Sequence, residues 1–581
     1  MKKRRLPALI LSLVLLCACA QTAPESESAQ PDQTQAVVQT TVSQDLIGDD
    51  ESLYEAYDPT DVVCFYVTVL GGNAADGTDH SLEEVNSYLN LQGMEGVEKI
   101  LTEVILQVGD ETGPLAGELG YTSLASNATM NVRGRTSTGY SQKSYRFTLF
   151  DDAGLWRGQR AIALNKHPAD VTRLRNMLYF RLLQDVPSIP SLRTQFVHLY
   201  VKDLTAEDPA DAFEDYGLYT QVELPNNRYL RNHGFSINGN LYKAQMCEMY
   251  RYEDKLKLAT DPDYDPEAFA TVLEPKTSED HTKLLEMLDA VNDDSIPIQQ
   301  VLDTYFDLDN LTSYLAFNLL MGNPDSNAQN YLLYSPLNSS TWYYLCWDGD
   351  DCLNYSENEI RDSEWEIGEW TRGVSNYWGV VLFNRLLRLP SFREALTEKV
   401  ELLYREVVTP QRVEELIGTY RAVVDEYTAV LPDSEHMQIT QAQRDAILAA
   451  MPGDVERSYQ YYYESLEKPM PFFLGQAELE NGTLRLNWGS SYDLDGEILR
   501  YDVQLARDWS FEEVLWEQQG LLTTGVELPA PEAGEYYWRA TVTNESGYTQ
   551  TAFDSVITAS GSHNGMRRFT IGADGTVVNP E

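Results

Sequence analysis

The chain has 581 residues, of which 43% are apolar, and a formal net charge of −47 at pH 7. This length exceeds what one hydrophobic core usually holds, so we expect more than one domain. The negative charge argues against nucleic acid and anionic lipid surfaces as electrostatic partners, whereas divalent cations are compatible with it.

The N-terminus predicts export. Residues 2–5 are all basic, and residues 6–18 form a mainly apolar run, shorter than the roughly 20 residues of a membrane-spanning helix. The segment Leu16-Cys17-Ala18-Cys19 looks like a bacterial lipobox, in which Cys19 becomes the lipidated first residue of the mature chain. Ordinary secretion with cleavage after Ala20 is the alternative. We predict a signal peptide at residues 1–18 and a lipid anchor in the membrane, on its extracytoplasmic face.

A tether and the start of a folded domain follow. Residues 21–44 are rich in Gln, Ser, Thr, Pro and Ala, with too few large apolar side chains to bury a core. Residues 62–70 then read as a first apolar strand. We predict a disordered tether at residues 19–58 and a folded domain at residues 59–468.

A helical pattern and a hairpin occupy the middle of the chain. Residues 301–322 have apolar side chains at helical spacing, with Asp307 and Asp309 as acidic starts. Residues 331–334 and 341–347 are aromatic and β-branched runs around a turn of Ser, Pro and Asn. This pattern predicts a hairpin that returns the chain towards its starting point.

Asp325, Asn330 and Asp348 have the spacing of a phosphoryl-transfer site. In protein kinases the catalytic Asp is followed five residues later by a metal-binding Asn, the separation of Asp325 and Asn330 here. The spacing alone is weak evidence, because Asp and Asn are common turn residues. Asp348, Asp350 and Asp351 strengthen it, since carboxylates clustered after an apolar strand repel one another unless a cation lies among them.

An ordered set of motifs carries a family resemblance. It comprises residues 131–137, 143–146, 163–165, 174–176, 217–219 with Glu223, 241–243, Gly322-Asn323-Pro324-Asp325, Asn330-Tyr331 and Trp347-Asp348-Gly349-Asp350. In this order the set resembles the CotH (spore coat protein H) kinase family, over roughly residues 60–460. The resemblance implies an α+β fold with a two-lobed, atypical protein-kinase-like domain. Because no His-Arg precedes Asp325 and no Phe follows Asp348, a standard kinase fold is not implied in detail.

The resemblance also implies a nucleotide site for ATP. Lys143, on an early strand, is the candidate that neutralises phosphate charge, and Arg133 could join it. Glu223 could orient Lys143 or contact the nucleotide, and Lys243 is a weaker candidate of the same kind. A solvated strand lysine and a surface glutamate remain the alternatives for Lys143 and Glu223.

The catalytic and metal-binding roles follow from the same motifs. Asp325 would orient or deprotonate the acceptor hydroxyl, and Asn330 and Asp348, assisted by Asp350, would hold the metal. Oxygen ligands fit Mg²⁺ or Mn²⁺ better than zinc, and Ca²⁺ is an alternative.

Four cysteines belong to the predicted folded part: Cys64, Cys247, Cys346 and Cys352. Cys346 and Cys352 bracket the acidic segment, and a disulfide between them is conceivable outside the cytoplasm. Buried thiols are the alternative that we favour.

The C-terminal third divides into helices and a β module. Residues 380–429 and 439–463 have the apolar spacing of amphipathic helices. Residues 469–560 consist of short alternating strands and turns and resemble a fibronectin type III module, an immunoglobulin-like sandwich. We expect Trp488, Tyr501 and residues 534–539 to form its core, with a cell-wall contact through exposed aromatic side chains as the alternative. Residues 561–581 are expected to be a tail.

The leading hypothesis is a lipid-anchored kinase that phosphorylates hydroxyls of secreted, spore-coat or surface proteins. The alternative is a non-catalytic surface protein, in which the kinase-like domain binds a ligand or assists coat assembly.

Overall fold

The computed structural model describes residues 49–91, 97–209, 211–361 and 368–580. The predicted signal peptide, Cys19 and most of the predicted tether lie outside these residues. The end of the predicted tether is folded, which corrects its boundary at residue 58. Asp49 accepts a hydrogen bond from the Ser191 backbone (3.1 Å) and pairs with His233, and a short helix, α1 (Ser52–Glu55), follows.

The N-terminal sheet closes on itself because β1 pairs on both sides. Its strands are β1 (Val62–Val69), β2 (Thr102–Asp110), β3 (Gly113–Pro114), β4 (Ala128–Arg133), β5 (Ser144–Leu149), β6 (Ala161–Asn165), β7 (Thr194–Asp203) and β8 (Glu214–Val222). The order is β1-β7-β8-β6-β5-β4-β2-β3, and β1 also pairs with β2, so the sheet forms a barrel. Only the β1–β7 pair is parallel among these described strands. Alternate side chains of β2 are buried and, with Phe65 and Phe147, fill the barrel.

Two helices from the N-terminal part of the chain border the barrel. Helix α2 (Leu82–Ser87) begins with a capping box, in which Ser81 and Glu84 satisfy each other's backbone amides. Helix α3 (Arg175–Leu183) lies between β6 and β7 in the chain and is buried along almost its whole length. The first residues of α3 contact the candidate site described below.

A second sheet carries the predicted hairpin. Its strands are β9 (Asn240–Ala244), β10 (Leu273–Pro275), β11 (Tyr331–Ser335) and β12 (Tyr343–Cys346), in the antiparallel order β10-β9-β11-β12. Tyr331 lies opposite Cys346 in the hairpin, which confirms that the chain returns beside Asn330. All side chains of β11 and β12 are buried.

Ten further α-helices are described after β8. They are α4 (Asn227–Asn232), α5 (Pro266–Ala270), α6 (Thr282–Asn292), α7 (Ile298–Tyr305), α8 (Leu308–Met321), α9 (Tyr355–Arg361), α10 (Val381–Leu387), α11 (Pro390–Glu406), α12 (Pro410–Thr428) and α13 (Gln441–Glu467). Of these, α12 packs against the barrel. The helices predicted within residues 380–429 and 439–463 are confirmed. The helical pattern of residues 301–322 is divided, because Asp307 caps a new helix by accepting the Asn310 amide. None of the described helices is both long and apolar enough to cross a membrane.

The C-terminal module is all-β, as expected. One sheet contains β13 (Glu478–Glu480), β14 (Thr483–Asn487) and β17 (Gly525–Pro529). The larger sheet contains β15 (Arg500–Ala506), β16 (Val514–Leu521), β18 (Gly534–Thr543), β22 (Met566–Ile571) and β23 (Val577–Val578), with β19 (Thr549–Thr551) beside β18. A separate hairpin joins β20 (Ser555–Thr558) to β21 (Gly561–Asn564).

Side chains from both sheets form one core. Trp488, Tyr501 and Trp538 are buried in it, which confirms them as core residues. The Tyr536 hydroxyl donates to the Glu532 carbonyl, in the manner of a tyrosine corner of immunoglobulin-like sandwiches. The predicted tail is wrong, because β22 pairs with β18 along six residues and supplies a strand of the larger sheet. The fibronectin type III assignment and the two-lobed kinase arrangement stay predictions.

The module packs directly against the helical region. The Asn544 side chain donates to the carbonyl of Glu467, at the end of α13 (2.9 Å). The rings of Trp378 and Tyr492 stack at 5.5 Å, and Arg388 lies over both. A cavity of about 810 Å³ opens at this junction, lined by Trp378, Arg388 and Trp488 among others, and it shares no residue with the acidic segment 348–351.

Candidate functional site

The loop that carries Asp325 is fixed at its start by the end of α8. Gly322 ends this helix in the left-handed conformation (φ 56°), which glycine adopts without a steric penalty. The Asn323 side chain then accepts the backbone amide of Asp325 (3.3 Å). The Ser326 carbonyl accepts a hydrogen bond from the buried Tyr314 hydroxyl (2.6 Å). Asp325 therefore sits in a short turn whose backbone is held at both sides.

Asn330 and Asp348 flank the two strands of the hairpin as neighbours. The backbone amide of Trp347 donates to the carbonyl of Asn330 (3.1 Å). Both Asn330 (φ 57°) and Asp348 (φ 53°) have left-handed backbone conformations, which cost energy in residues other than glycine. Such strained residues are concentrated at functional sites, and here both are residues that the sequence marked as metal ligands.

Helix α3 holds the Asp348 segment through Asn176. The side-chain amide of Asn176 donates to Asp348 Oδ1 (3.2 Å), and its carbonyl oxygen accepts the Gly349 amide (3.0 Å). Gly349 also packs against Tyr179, because a Cβ atom at Gly349 would lie 2.2 Å from the Tyr179 ring. The backbone at Asp348 and Gly349 is therefore pressed onto the first turns of α3.

A buried ion-pair network fixes the continuation of this segment. Arg175 pairs with Asp170 and Glu357, each at 2.7 Å, and all three side chains are buried. Its guanidinium also donates to the carbonyls of Cys352 (2.6 Å) and Leu353 (3.3 Å). One arginine thus neutralises two carboxylates and anchors the chain just beyond the acidic segment.

Four carboxylates form an acidic cluster: Asp325, Asp348, Asp350 and Asp351. Burial raises the pKa of Asp325, and the charge of Asp348 raises it further. Burial and the Asp348 charge also raise the pKa of Asp350, against the opposing effect of His167. Asp351 reaches solvent, but desolvation by its protein surroundings and the charges of Asp325 and Asp350 raise its pKa to about 7. A cation among these carboxylates would relieve their repulsion.

Four basic side chains form a group that we name the basic wall: Arg133, Arg146, Lys243 and Lys276. Burial lowers the pKa of Arg133, while the charges of Asp348 and Asp350 oppose that shift. Burial and the Lys276 charge lower the pKa of Lys243 to about 8, while Asp348 again opposes the shift. The basic wall and the acidic cluster therefore meet at Asp348.

Glu274 is the carboxylate that accompanies the basic wall. It lies directly opposite Lys243 in the pairing of β10 with β9, and Lys276 Nζ lies 2.5 Å from its Oε1. Lys243 Nζ lies 5.0 Å from the centre of the Trp347 ring, next to Asp348 in the chain. Within the described part of the chain, the buried Arg146 Nε has no hydrogen-bond partner. Cationic donors are thus gathered here in excess over carboxylates.

The structure brings Arg133, Lys243, Asp325, Asp348 and Asp350 together, with Asn330 beside Asp348. It does not bring Lys143 to them: Lys143 Nζ donates to the Thr138 carbonyl (2.6 Å), and burial lowers its pKa.

Glu223 does not orient Lys143, and the alternative of a surface glutamate is also wrong. Glu223 is buried and accepts hydrogen bonds from Arg193 Nε (2.9 Å) and His233 Nε2 (3.0 Å). A buried carboxylate needs cationic partners, and Arg193 and His233 fill that role for Glu223.

Several residues of the site were missed by the sequence interpretation: Arg146, His167, Asn176, Glu274 and Lys276. Arg146 and Asn176 lie inside motif segments that were recognised, but nothing in their spacing indicated a role. Glu274 lies within the short strand β10 and Lys276 follows it, and the register of β10 with β9 is set only in the folded chain. Because Glu274 and Lys276 are remote in sequence from the other residues of the site, no local sequence pattern indicates that they belong to it.

The residues present fit a divalent cation. Carboxylate and amide oxygens are the ligands that Mg²⁺ and Mn²⁺ prefer, and a hydrogen-bonded outer shell orients such ligands, as Asn176 does for Asp348. Cys346 and Cys352 are both free, buried thiols, as we favoured, so no disulfide closes the loop. The set as a whole matches phosphoryl-transfer chemistry, in which cationic groups and a metal share the phosphate charge.

Comparison with known proteins agrees with this geometry. The family model described as CotH kinase protein matches residues 130–450, which is more than half of the chain and includes every residue of the acidic cluster and the basic wall. No curated protein matches the chain. The chain belongs to the CotH kinase protein family.

Proposed function

We propose that the protein is an extracytoplasmic, lipid-anchored atypical kinase. It transfers the γ-phosphoryl group of ATP to Ser or Thr hydroxyls of secreted, spore-coat or surface proteins. Membership of the CotH kinase family supports a kinase-like activity with ATP and a divalent metal. The predicted signal peptide and Cys19 support the extracytoplasmic, lipid-anchored location. The net charge of −47 supports a partner other than nucleic acid.

The meeting of opposite charges at Asp348 carries this proposal. A nucleotide triphosphate is polyanionic, so its site needs cationic side chains on one side and carboxylates for a metal on the other. Asp348 interacts electrostatically with Arg133 and Lys243 and also with Asp325 and Asp350. A purely structural ion pair would need one carboxylate and one cation, whereas several carboxylates and several cations lie around Asp348.

Each residue has a role in the proposed reaction. Arg133 and Lys243 bind phosphate oxygens, and Asn330, Asp348 and Asp350 hold Mg²⁺ or Mn²⁺, with Ca²⁺ as an alternative. The bound cation supplies neutralisation of the phosphate charge.

Asp325 orients the acceptor hydroxyl and takes its proton. A bond forms between the hydroxyl oxygen and the γ-phosphorus, while the bond from that phosphorus to the bridging oxygen breaks and ADP leaves with the electron pair.

The test is incubation of the purified full chain with γ-labelled ATP and Mg²⁺ or Mn²⁺, with and without a Ser/Thr-rich extract of secreted proteins. Asp325→Asn is the inactive variant, and Asp303→Asn is the matched control, because Asp303 is exposed on α7 away from the cluster. We expect label from wild type and Asp303→Asn and none from Asp325→Asn.

A second label distinguishes the chemistry. Incorporation from α-labelled but not γ-labelled ATP would indicate AMP transfer and contradict phosphoryl transfer. No incorporation from either label, together with no shift in melting temperature on adding ATP and metal, would favour the non-catalytic binding or assembly role.

A further inference from the structure

A second cluster of ligand-type side chains lies on the barrel, away from the acidic cluster. Cys64 of β1 and His198 of β7 are direct partners across the parallel pair of strands. Residues of one strand alternate between faces, so Cys64 points away from Phe65, which lies in the barrel core. Glu111 reaches the same place from the turn between β2 and β3, since Gly109 of β2 lies opposite Cys64. Three elements distant in the chain thus converge.

The distances between the ligand atoms fit one metal ion. Cys64 Sγ lies 3.3 Å from Glu111 Oε1, His198 Nδ1 lies 3.0 Å from the same oxygen, and the ligand atoms of all three residues lie within 4.8 Å of one another. Tetrahedral zinc with bonds of about 2.0–2.3 Å requires neighbouring ligand atoms about 3.3–3.7 Å apart. The separation of Cys64 Sγ from Glu111 Oε1 lies at the lower end of this range, and the separation of His198 Nδ1 from the same oxygen is about 0.3 Å shorter.

A second layer of hydrogen bonds orients these ligands. His198 Nε2 lies 2.8 Å from Asp215 Oδ1, which leaves Nδ1 directed at Glu111. The Tyr200 hydroxyl donates to Glu111 Oε2 (2.6 Å), which leaves Oε1 for the cluster. Metal-binding histidines in proteins usually donate their other ring nitrogen to a carboxylate in this way.

The type of donor selects the metal. A protonated histidine between two carboxylates would explain His198, Glu111 and Asp215, but it leaves Cys64 only a weak S–H hydrogen bond to the same carboxylate oxygen. Mg²⁺ and Ca²⁺ prefer oxygen ligands, whereas a thiolate, an imidazole and a carboxylate together suit zinc. The cluster is therefore chemically distinct from the oxygen-only donors around Asp348.

We propose that Cys64, Glu111 and His198 bind a zinc ion, with water in the fourth position and Asp215 orienting His198. The site lies where α12 meets the barrel: the Tyr427 ring contacts the His198 ring at 4.9 Å, and its hydroxyl lies 3.5 Å from Glu111 Oε1. Zinc thereby ties β1, β7 and the β2–β3 turn together beneath α12 and stabilises the folded chain. Cys64 and Glu111 precede the segment matched by the family model, and the inference does not depend on the kinase proposal.

The test is zinc titration by calorimetry of the full chain after removal of metals with a chelator. We expect one high-affinity site in wild type, its loss in Cys64→Ser and Glu111→Gln, and about 10–100-fold weaker binding in Asp215→Asn. Cys247→Ser, which removes a buried thiol elsewhere, is the matched control and should bind like wild type. Asp348→Ala, in the acidic cluster, should also retain the site.

Two results would overturn the inference. One is unchanged zinc affinity in Cys64→Ser, and the other is loss of the tight site in Asp348→Ala, which would assign the zinc to the acidic cluster. A measurement on wild type alone guards against misfolded variants: Co²⁺ added to the metal-free chain should give a thiolate-to-cobalt charge-transfer band that zinc abolishes. Absence of that band would exclude Cys64 as a ligand.

Discussion

Lys243 and Glu274 lie directly opposite each other in the antiparallel pair of β9 and β10. This pair, rather than Lys143 with Glu223, supplies the lysine and the carboxylate beside the acidic cluster. Lys243 interacts with Asp348, while Lys143 is engaged by the Thr138 carbonyl. The two lysines can therefore be distinguished experimentally.

Lys243→Met is expected to weaken ATP binding about 10–100-fold, because one charge-assisted contact to phosphate contributes about 1.5–3 kcal/mol. Lys143→Met is the matched control and should change the affinity less than about threefold, within the scatter of surface substitutions. Calorimetric titration with ATP and Mg²⁺ measures both. A larger loss in Lys143→Met than in Lys243→Met would return the nucleotide to the site that the sequence indicated.

Asn176→Leu is expected to lower metal affinity and turnover about 10–100-fold, the usual effect of removing a hydrogen bond to a metal ligand. The reason is that Asn176 orients Asp348 Oδ1 and the Gly349 amide. The measurement is the Mn²⁺ dependence of phosphorylation, and excess Mn²⁺ should recover part of the rate.

Asn127→Ala controls for a general loss of structure in that experiment. Its side chain, like that of Asn176, is held by hydrogen bonds, two of which join it to the backbone of Leu106 in β2. This variant should be less stable but keep the metal dependence of wild type. An identical Mn²⁺ dependence in Asn176→Leu and wild type would contradict the role of Asn176.

Gly349→Ala is expected to disrupt the acidic cluster. A Cβ atom there would lie 2.2 Å from the Tyr179 ring, so the segment or α3 must shift, at about 1–3 kcal/mol for overpacking. Gly418→Ala is the contrasting control, because a Cβ atom at Gly418 in α12 meets no atom within 4 Å. That variant should be stabilised by about 0.5–1 kcal/mol. Denaturant unfolding measures both, and equal effects would show that Gly349 is not confined.

The sequence predicted the parts of the site that lie close together in the chain. Helical spacing, the aromatic hairpin and the carboxylates after it bring Asp325, Asn330 and Asp348 together, and the pairing of Tyr331 with Cys346 realises that arrangement. The nucleotide side was predicted only partly, since Lys243 and Glu274 meet through a strand register that no local pattern encodes. The closure of the barrel by β1 could not be predicted either, because both strands that pair with β1 are distant from it in sequence.

Some errors came from composition. Residues 561–580 are polar and Gly-containing and read as a tail, yet β22 gains its backbone hydrogen bonds from β18 and its Phe569 enters the core. Glu223 had no local sign of burial, and its two cationic partners come from other elements. Pairings of this kind follow from tertiary structure, which overrides local propensity.

The network around Glu223 predicts a pH-dependent stability. His233 lies between Glu223 and Asp49, and Glu223 also pairs with Arg193. The rings of Tyr54 and Tyr229 pack against the His233 ring. Burial lowers the pKa of His233, but the hydrogen bonds and charges of Asp49 and Glu223 outweigh that effect and raise the pKa to about 9. An unfolded histidine titrates near about 6.5, so folding favours the protonated ring.

The stabilising effect of His233 is therefore fully present below about pH 6.5 and is lost as the pH rises through about 9, for a total of about 3 kcal/mol. His233→Gln should flatten the fall in the free energy of unfolding across that interval. His80→Gln removes an exposed histidine with one weak partner and should leave the fall unchanged. Urea unfolding at several pH values measures it, and the same slope in His233→Gln as in wild type would mean that Glu223 is compensated by Arg193 alone.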